Sequence, residues 1–327
     1  MTGVPRGTET RKSMESRKKS ILCVDTGVDD ALALCYALSH EDLDLIGICA
    51  SYGMATVPKT YSNTKHIVNS LGKGDQIPVY MGSEKPLQRD REYSGTFHGM
   101  DGLGNQDLPD ISGDATPEES VDFIVDSIKR YGEDLQIITT GPMTDMAKVL
   151  LRFPDGPLPG FSMVSMAGAA ITPGNCNLYS EANVMVDPEA AKICFESGVP
   201  ITMVGLDVTR KTLLTEKELK VWQGYDSESA KILSKAVGFY LEAYRVHHPY
   251  LAGCALHDPL AVGVAMHPDL VTTIPMNITV VTSGEADGDT VENLDKVAEE
   301  PTTKVALSVD GERFMKDFYA HMDAVLR

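Results

Sequence analysis

Short runs of apolar and β-branched residues alternate along this chain with longer segments whose apolar positions recur at helical spacing. The short runs are Ile21–Val24, Leu43–Ala50, Ile77–Met81, Leu135–Thr139, Ser162–Met166 and Ile201–Leu206. Between them, Asp30–Leu38, Thr60–Leu71, Glu118–Tyr131, Asp145–Leu151 and Glu189–Ser197 carry the helical pattern. Strand-length apolar runs separated by amphipathic helices are the signature of βαβ units and a parallel sheet. The pattern therefore predicts an α/β protein of one domain over residues 21–327, with an open, mostly parallel, Rossmann-like sheet flanked by helices. Asp187-Pro188-Glu189 starts one helix with a capping carboxylate and a first-turn proline. Lys217–Tyr244 is the longest helical stretch, with a break expected near Gly224. Thr273–Thr282 and Thr303–Val309 read as late strands flanking an acidic turn, Gly284–Asp289, expected to be a solvated loop.

Composition narrows the classes. A chain of 327 residues with 43% hydrophobic positions is globular, and at that length it buries roughly 75% of its unfolded surface. Its net charge of −18 argues against a nucleic-acid partner. Residues 1–20 carry Arg6, Arg11, Lys12, Arg17, Lys18 and Lys19 and read as a disordered basic tail; the apolar run after it stops at Asp25, short of a signal-peptide core. No stretch approaches the about 18 apolar residues that cross a membrane, so no membrane partner and a cytoplasmic location are expected. The six cysteines show no C-x-x-C and read as reduced thiols in a core.

In open parallel sheets, ligands bind outside the carboxyl ends of the strands. No P-loop or G-x-G-x-x-G comes after a strand here. Instead, the first strand runs into Cys23-Val24-Asp25-Thr26-Gly27-Val28-Asp29-Asp30, with three carboxylates within six residues. Such groups repel one another, and a cation is the usual means of holding them together; all-oxygen donors suit a hard ion such as Ca²⁺ or Mg²⁺. Helix capping by Asp29 and Asp30 is the competing account, but it has no need of Asp25. A haloacid-dehalogenase-like phosphatase would have a second Asp two residues after the first, where this chain has Gly27. Further polar groups sit at later strand ends: Thr139–Pro142, Gly174–Asn183 and, opening a helix, Leu256-His257-Asp258-Pro259.

From about Ile21 to the C-terminus the chain resembles the nucleoside hydrolase family of the inosine-uridine-preferring type. The resemblance rests on D-x-G-x-D-D at Asp25–Asp30, H-G-x-x-G-L-G at His98–Gly104, T-G-P at Thr140–Pro142, G-N at Gly174-Asn175, E-x-N at Glu181–Asn183 with D-P-E-A-A at Asp187–Ala191, and H-D-P at His257–Pro259, in this order. It implies the nucleoside hydrolase fold and Ca²⁺-dependent hydrolysis of the N-glycosidic bond of ribonucleosides to ribose and free base, an activity of purine and pyrimidine salvage. It also implies a Ca²⁺ held by Asp25, Asp30, the Thr140 carbonyl and Asp258, and a ribose held by Asp29, Asn183, Glu181 and Asp258, with Asn175 at the 5′-hydroxyl. Met166 and His98 join the substrate-binding set. Asp25 is then the general base on water at the Ca²⁺, and His257 the acid for the departing base. Homodimers and homotetramers are common in the family. Two positions depart from its pattern: Cys23 stands where an additional Asp is usual, and Met54 where an Asn comes after the glycine. Because of them, a weakly active or non-catalytic ribose- or nucleoside-binding relative is the alternative reading. The base pocket is expected from Lys217–His257, with Tyr244, Arg245, His247 and His248 as further candidates near the leaving group. The motifs bring no Lys or Arg to the ribose.

Overall fold

In the computed structural model, which describes residues 17–153 and 160–327, the alternating pattern becomes twelve strands. They are β1 Lys19–Val24, β2 Asp44–Ala50, β3 Val79–Met81, β4 Leu135–Thr139, β5 Ser162–Ser165, β6 Ile201–Met203, β7 Leu213–Leu214, β8 Cys254–Ala255, β9 Val271–Met276, β10 Ile278–Val280, β11 Thr290–Glu292 and β12 Thr303–Val309. The helices are α1 Val28–Ser39, α2 Val57–Ser70, α3 Glu119–Tyr131, α4 Thr144–Leu150, α5 Ala182–Val186, α6 Pro188–Phe195, α7 Leu206–Thr209, α8 Glu216–Trp222, α9 Glu228–His247, α10 His257–Met266 and α11 Gly311–Leu326.

Eight strands form one sheet in the order β3-β2-β1-β4-β5-β6-β12-β9, parallel except for the β9 edge. Successive residues of a strand face opposite sides, and here both sides are apolar. Leu22, Val24, Ile48 and Ile138 enter a core with α1, α2, α9, α10 and α11, whereas Ile21, Cys23, Cys49 and Ile137 enter a second core with α3, α4 and α6. Helices therefore cover both faces, which is why the strands read as near-continuous apolar runs. Chain direction across the sheet reverses between β1 and β4, the topological switch point where such sheets leave a crevice.

Several boundaries differ from the expected ones for identifiable reasons. The first strand starts at Lys19, because Lys19 and Ser20 already pair with Asp44 and Leu45, so only residues 1–16 of the basic tail lie outside the described residues. The run expected as Thr273–Thr282 is two strands. β9 pairs antiparallel with β12, and past Asn277 the chain turns away so that β10 pairs with β11 in a separate hairpin. The acidic turn in that hairpin is not merely solvated: Arg89 binds both Glu189, at 2.7 Å, and the Asp287 carboxylate, and Ser180 donates to the Asp287 carbonyl. The break near Gly224 falls between α8 and α9, as the pattern predicts. Among the described residues no helix is long and apolar enough to cross a membrane. Five cysteines are buried, but Cys176 is exposed, on a loop beside the cavity at the switch point.

Candidate active site

At the switch point the carboxyl ends of β1, β4 and β5 and the first turns of α1, α5 and α10 enclose a cavity of about 600 Å³. Asp25 leaves the end of β1 into this cavity. Its Oδ2 accepts from the Met54 amide at 2.7 Å. Two glycines at the exits of β2 and β4 leave room for the carboxylate: a Cβ on Gly53 would lie 1.9 Å from Oδ2, and one on Gly141 2.7 Å from Oδ1. Asp30 is fixed from two sides, with Oδ2 accepting from the Gly27 amide at 3.0 Å and Oδ1 from the Thr140 hydroxyl at 2.7 Å. The Asp29 carboxylate touches that of Asp258, in the first turn of α10.

Burial acts on all four groups, and repulsion from neighbouring carboxylates adds to it at Asp25, Asp29 and Asp258. Desolvation pushes Asp25 well up, and Asp30 and Asp29 push it further; desolvation and then Asp29, Asp30 and Asp25 do the same to Asp258. Asp29 and Asp30 are raised to about 7 and about 6, with burial the largest cause in each. Among the described residues His98 is the one basic side chain within 4 Å of these carboxylates, its Nδ1 3.8 Å from Asp29 Oδ1, while the charge of Arg91 offsets only part of the rise at Asp25. One carboxylate oxygen each from Asp29, Asp30 and Asp258 fall within 4.8 Å of one another. Buried carboxylates in contact need a shared proton or a cation between them. The residues present thus fit a hard divalent ion: oxygen donors converge, they are dry, and among the described residues no Lys or Arg forms an ion pair with them.

The remaining residues expected from the sequence line the same cavity. Glu181 caps α5, accepting from the amides of Asn183 at 2.9 Å and Val184 at 3.3 Å, and from Gly168 at 3.0 Å; burial raises it to about 7. The Asn183 amide group donates to the Thr140 carbonyl at 2.7 Å and to the Met166 carbonyl at 3.0 Å, so Met166 positions Asn183. The Thr140 carbonyl therefore already carries one hydrogen bond and keeps one lone pair. Asn175 Oδ1 accepts from the Ala182 amide at 2.9 Å, which folds its loop over the site.

On the far side, His257 is held at both nitrogens: Nδ1 pairs with the Thr209 hydroxyl at 2.7 Å and Nε2 with the Tyr244 hydroxyl at 2.8 Å. Burial, then the charges of Arg210, His98 and His248, lower it to about 3. Burial alone lowers His98 to about 4, and its Nδ1 accepts from the Val28 amide at 3.0 Å. Both imidazoles are neutral near pH 7. Of the other leaving-group candidates, Tyr244 and His248 line the cavity, whereas Arg245 pairs with Glu242 in solvent and His247 packs outside on Phe97.

The sequence pattern does not reveal all of this wall. The base end is not built from Lys217–His257 alone, since the segment from Arg89 to His98 closes it, with Phe97 edge-on to Tyr244 at 5.6 Å. Nor is the cavity free of cations: Arg91 and Arg210 line it, although Arg91 donates to the Gly53 carbonyl at 2.8 Å, and Arg210 to the carbonyls of Pro173 at 2.7 Å and Gly174 at 2.8 Å. The nearest thing to a signal for it is the mixture of aromatic and basic residues in Arg91-Glu92-Tyr93 and Phe97-His98. Met54 replaces no anchor of Asp25, because its main-chain N–H does the holding.

A cavity lined by buried acids at the switch point of a doubly covered parallel sheet defines a small-molecule enzyme site. The model of the family described as inosine-uridine preferring nucleoside hydrolase matches residues 20–316. A pyrimidine-specific ribonucleoside hydrolase, RihA, of Shewanella oneidensis is 36% identical over 69% of this chain and 70% of its own length. A probable uridine nucleosidase 2 of Arabidopsis thaliana is 31% identical over 92% of this chain and 96% of its own. The solved structure of a purine-preferring ribonucleoside hydrolase from Gardnerella vaginalis is 41% identical and superposes with a TM-score of 0.89, covering 94% of this chain and 99% of that one. The chain belongs to the inosine-uridine preferring nucleoside hydrolase family: it is an enzyme that hydrolyses the N-glycosidic bond of ribonucleosides.

Proposed function

We propose that the cavity holds one Ca²⁺ among Asp25, Asp30, Asp258 and the Thr140 carbonyl, and that ribose binds against Asp29, Glu181, Asn183 and Asp258 with its 5′-hydroxyl at Asn175. The observation that carries this reading is the convergence of Asp25, Asp29, Asp30 and Asp258 in a dry site with no Lys or Arg paired to them among the described residues. When bound, the ion supplies a Lewis acid that makes water a better nucleophile and orients the sugar hydroxyls.

The protein's own groups then divide the work. Asp25 takes the proton of the attacking water as its oxygen bonds to the anomeric carbon. As the C–N bond breaks, its electron pair goes to the base nitrogen, and positive charge spreads over the sugar ring. The surrounding carboxylates stabilise that oxocarbenium character. His257 acts on the base. With Thr209 donating to Nδ1 and Nε2–H donating to Tyr244, the Tyr244 hydroxyl is left to donate into the cavity. The proton thus reaches the leaving base from the Tyr244 hydroxyl, the Nε2–H of neutral His257 stabilises the tyrosinate oxygen through its hydrogen bond, and Tyr244 regains its proton from solvent. His98 and Met166 complete the lining. Free ribose and base enter salvage, and the working form is a homodimer or homotetramer in the cytoplasm.

The test is metal analysis of protein desalted without chelator, with ribose release from a nucleoside panel before and after chelation. About one Ca²⁺ per chain, with activity lost on chelation and restored by Ca²⁺, is the expected result. Undiminished ribose release from metal-free protein contradicts the proposal.

A further inference from the structure

His40 caps α1 at the end opposite Asp29 and Asp30, and the helical rise sets it about 16 Å from them. Its side chain is only 7% exposed, yet its Nε2 has no hydrogen-bond partner among the described residues. That nitrogen faces Asp317 Oδ2 at 3.4 Å. One turn further along α11 is His321, whose ring lies 4.0 Å from that of His40. Asp317 and His321 are four residues apart, which puts both donors on one face of the helix, the spacing by which helices present paired metal ligands. One ligand atom each from His40, Asp317 and His321 fall within 4.8 Å of one another.

The groups around these three are those that orient ligands. Tyr36 donates its hydroxyl hydrogen to Asp317 Oδ2. On the other side of the His40 ring, Nδ1 accepts from the Asp42 main-chain N–H at 3.3 Å and lies 3.8 Å from Asp42 Oδ2; an ion at Nε2 moves the ring proton to Nδ1, where Asp42 Oδ2 is the acceptor at hand. A ligating imidazole commonly gives its second N–H to a carboxylate, and a ligating carboxylate is itself hydrogen-bonded. We infer that His40, Asp317 and His321 form a second metal site, remote from the catalytic cavity, for a divalent first-row transition ion of the Zn²⁺ class. Two imidazoles and one carboxylate, with an open side for water, are a zinc-type donor set; Ca²⁺ and Mg²⁺ ask for oxygens. The rings of His40 and His321 are 22° from parallel, so His321, on the surface of α11 and 28% exposed, turns about its side-chain bonds to aim at the ion. The bound ion ties the C-terminal helix to the end of α1.

The experiment uses the full chain saturated with Ca²⁺, so that the acidic cavity is occupied, and titrates Zn²⁺ against a chromogenic chelator. One Zn²⁺ binds per chain, Co²⁺ in its place gives the visible band of a tetrahedral site, and Zn²⁺ raises the melting temperature. His321→Ala weakens Zn²⁺ at least ~10-fold and removes the band and the thermal gain, while ribose release without Zn²⁺ stays normal and shows that the variant folds. Asp258→Asn retains the site. His267, whose ring lies 5.6 Å from that of His40, offers the alternative grouping of His40, Asp42 and His267. The inference is overturned by a wild-type chain that binds no Zn²⁺, by equal affinity in His321→Ala, by loss of Zn²⁺ binding in Asp258→Asn, or by loss in His267→Ala with retention in His321→Ala.

Discussion

Adding one methyl group at Gly53 tests the geometry around Asp25 without touching any side chain assigned to chemistry. The new Cβ would lie 1.9 Å from Asp25 Oδ2, 2.5 Å from its Cγ and 2.6 Å from its Cβ. Contacts under 3.0 Å are essentially never adopted by a real Cβ, so Oδ2 has to retreat by about 1 Å. Turning the carboxylate is not enough, because the Asp25 Cβ is also too close. A displacement of about 1 Å at a reacting group costs on the order of 10² in rate, equivalent to about 2.7 kcal/mol of barrier. The φ of Gly53 is not positive, so alanine adds no backbone strain of its own. Gly113→Ala is the control, since its Cβ would meet only the Tyr61 hydroxyl, at an ordinary 3.5 Å, and the neighbouring main chain at 3.9 Å. Reducing-sugar release from a saturating nucleoside should fall ~10²-fold in Gly53→Ala and stay within ~2-fold in Gly113→Ala, both folding by circular dichroism. Normal turnover in Gly53→Ala refutes the assignment of Asp25 to the chemical step.

Other contacts give three further expected outcomes. Tyr244→Phe should slow nucleoside hydrolysis about as much as His257→Ala, and the double variant little more than either, because the two act through one hydrogen-bonded chain; additive losses in the double variant separate their roles. Uridine or inosine should be turned over faster than its 5′-monophosphate, because the donors of Arg91 and Arg210 are committed to main-chain carbonyls and the phosphate meets the acids; equal turnover of both argues that these arginines are free to bind it. Arg89→Ala leaves Glu189 and Asp287 without their shared partner and should cost about 1–3 kcal/mol of stability, read as a lower urea midpoint. An unchanged midpoint means the acidic turn is held by other contacts.

The parts of this site that could be read in the sequence are those whose chemistry is local. Asp25, Asp29 and Asp30 are close in the chain, and the apolar run before them puts them at a strand end. Asp187-Pro188 marked a helix start that the structure keeps, with Asp187 accepting from the Ala190 amide at 3.1 Å. The rest depends on contacts between distant residues. Arg89 meets Asp287 across nearly two hundred positions, and nothing local in Gly284–Asp289 announces that an arginine will hold it. The split of Thr273–Thr282 at Asn277 is decided by two different partners, β12 and β11, competing for one apolar run. In the sequence His257 is a polar residue opening a helix; only the fold supplies Thr209 and Tyr244, which occupy both its nitrogens.

The division of labour between Asp25 and His257 is most directly tested by comparing inosine or uridine with a nitrophenyl riboside in two variants. The nitrophenyl group departs as a stable anion and needs no proton, whereas both substrates need the water activated. Asp25→Asn should slow both by at least ~10². His257→Ala should slow the nucleoside by ~10²–10³ and leave the nitrophenyl riboside nearly unchanged. Parallel losses on both substrates in His257→Ala, or near-normal nucleoside turnover in Asp25→Asn with its metal retained, would contradict the account.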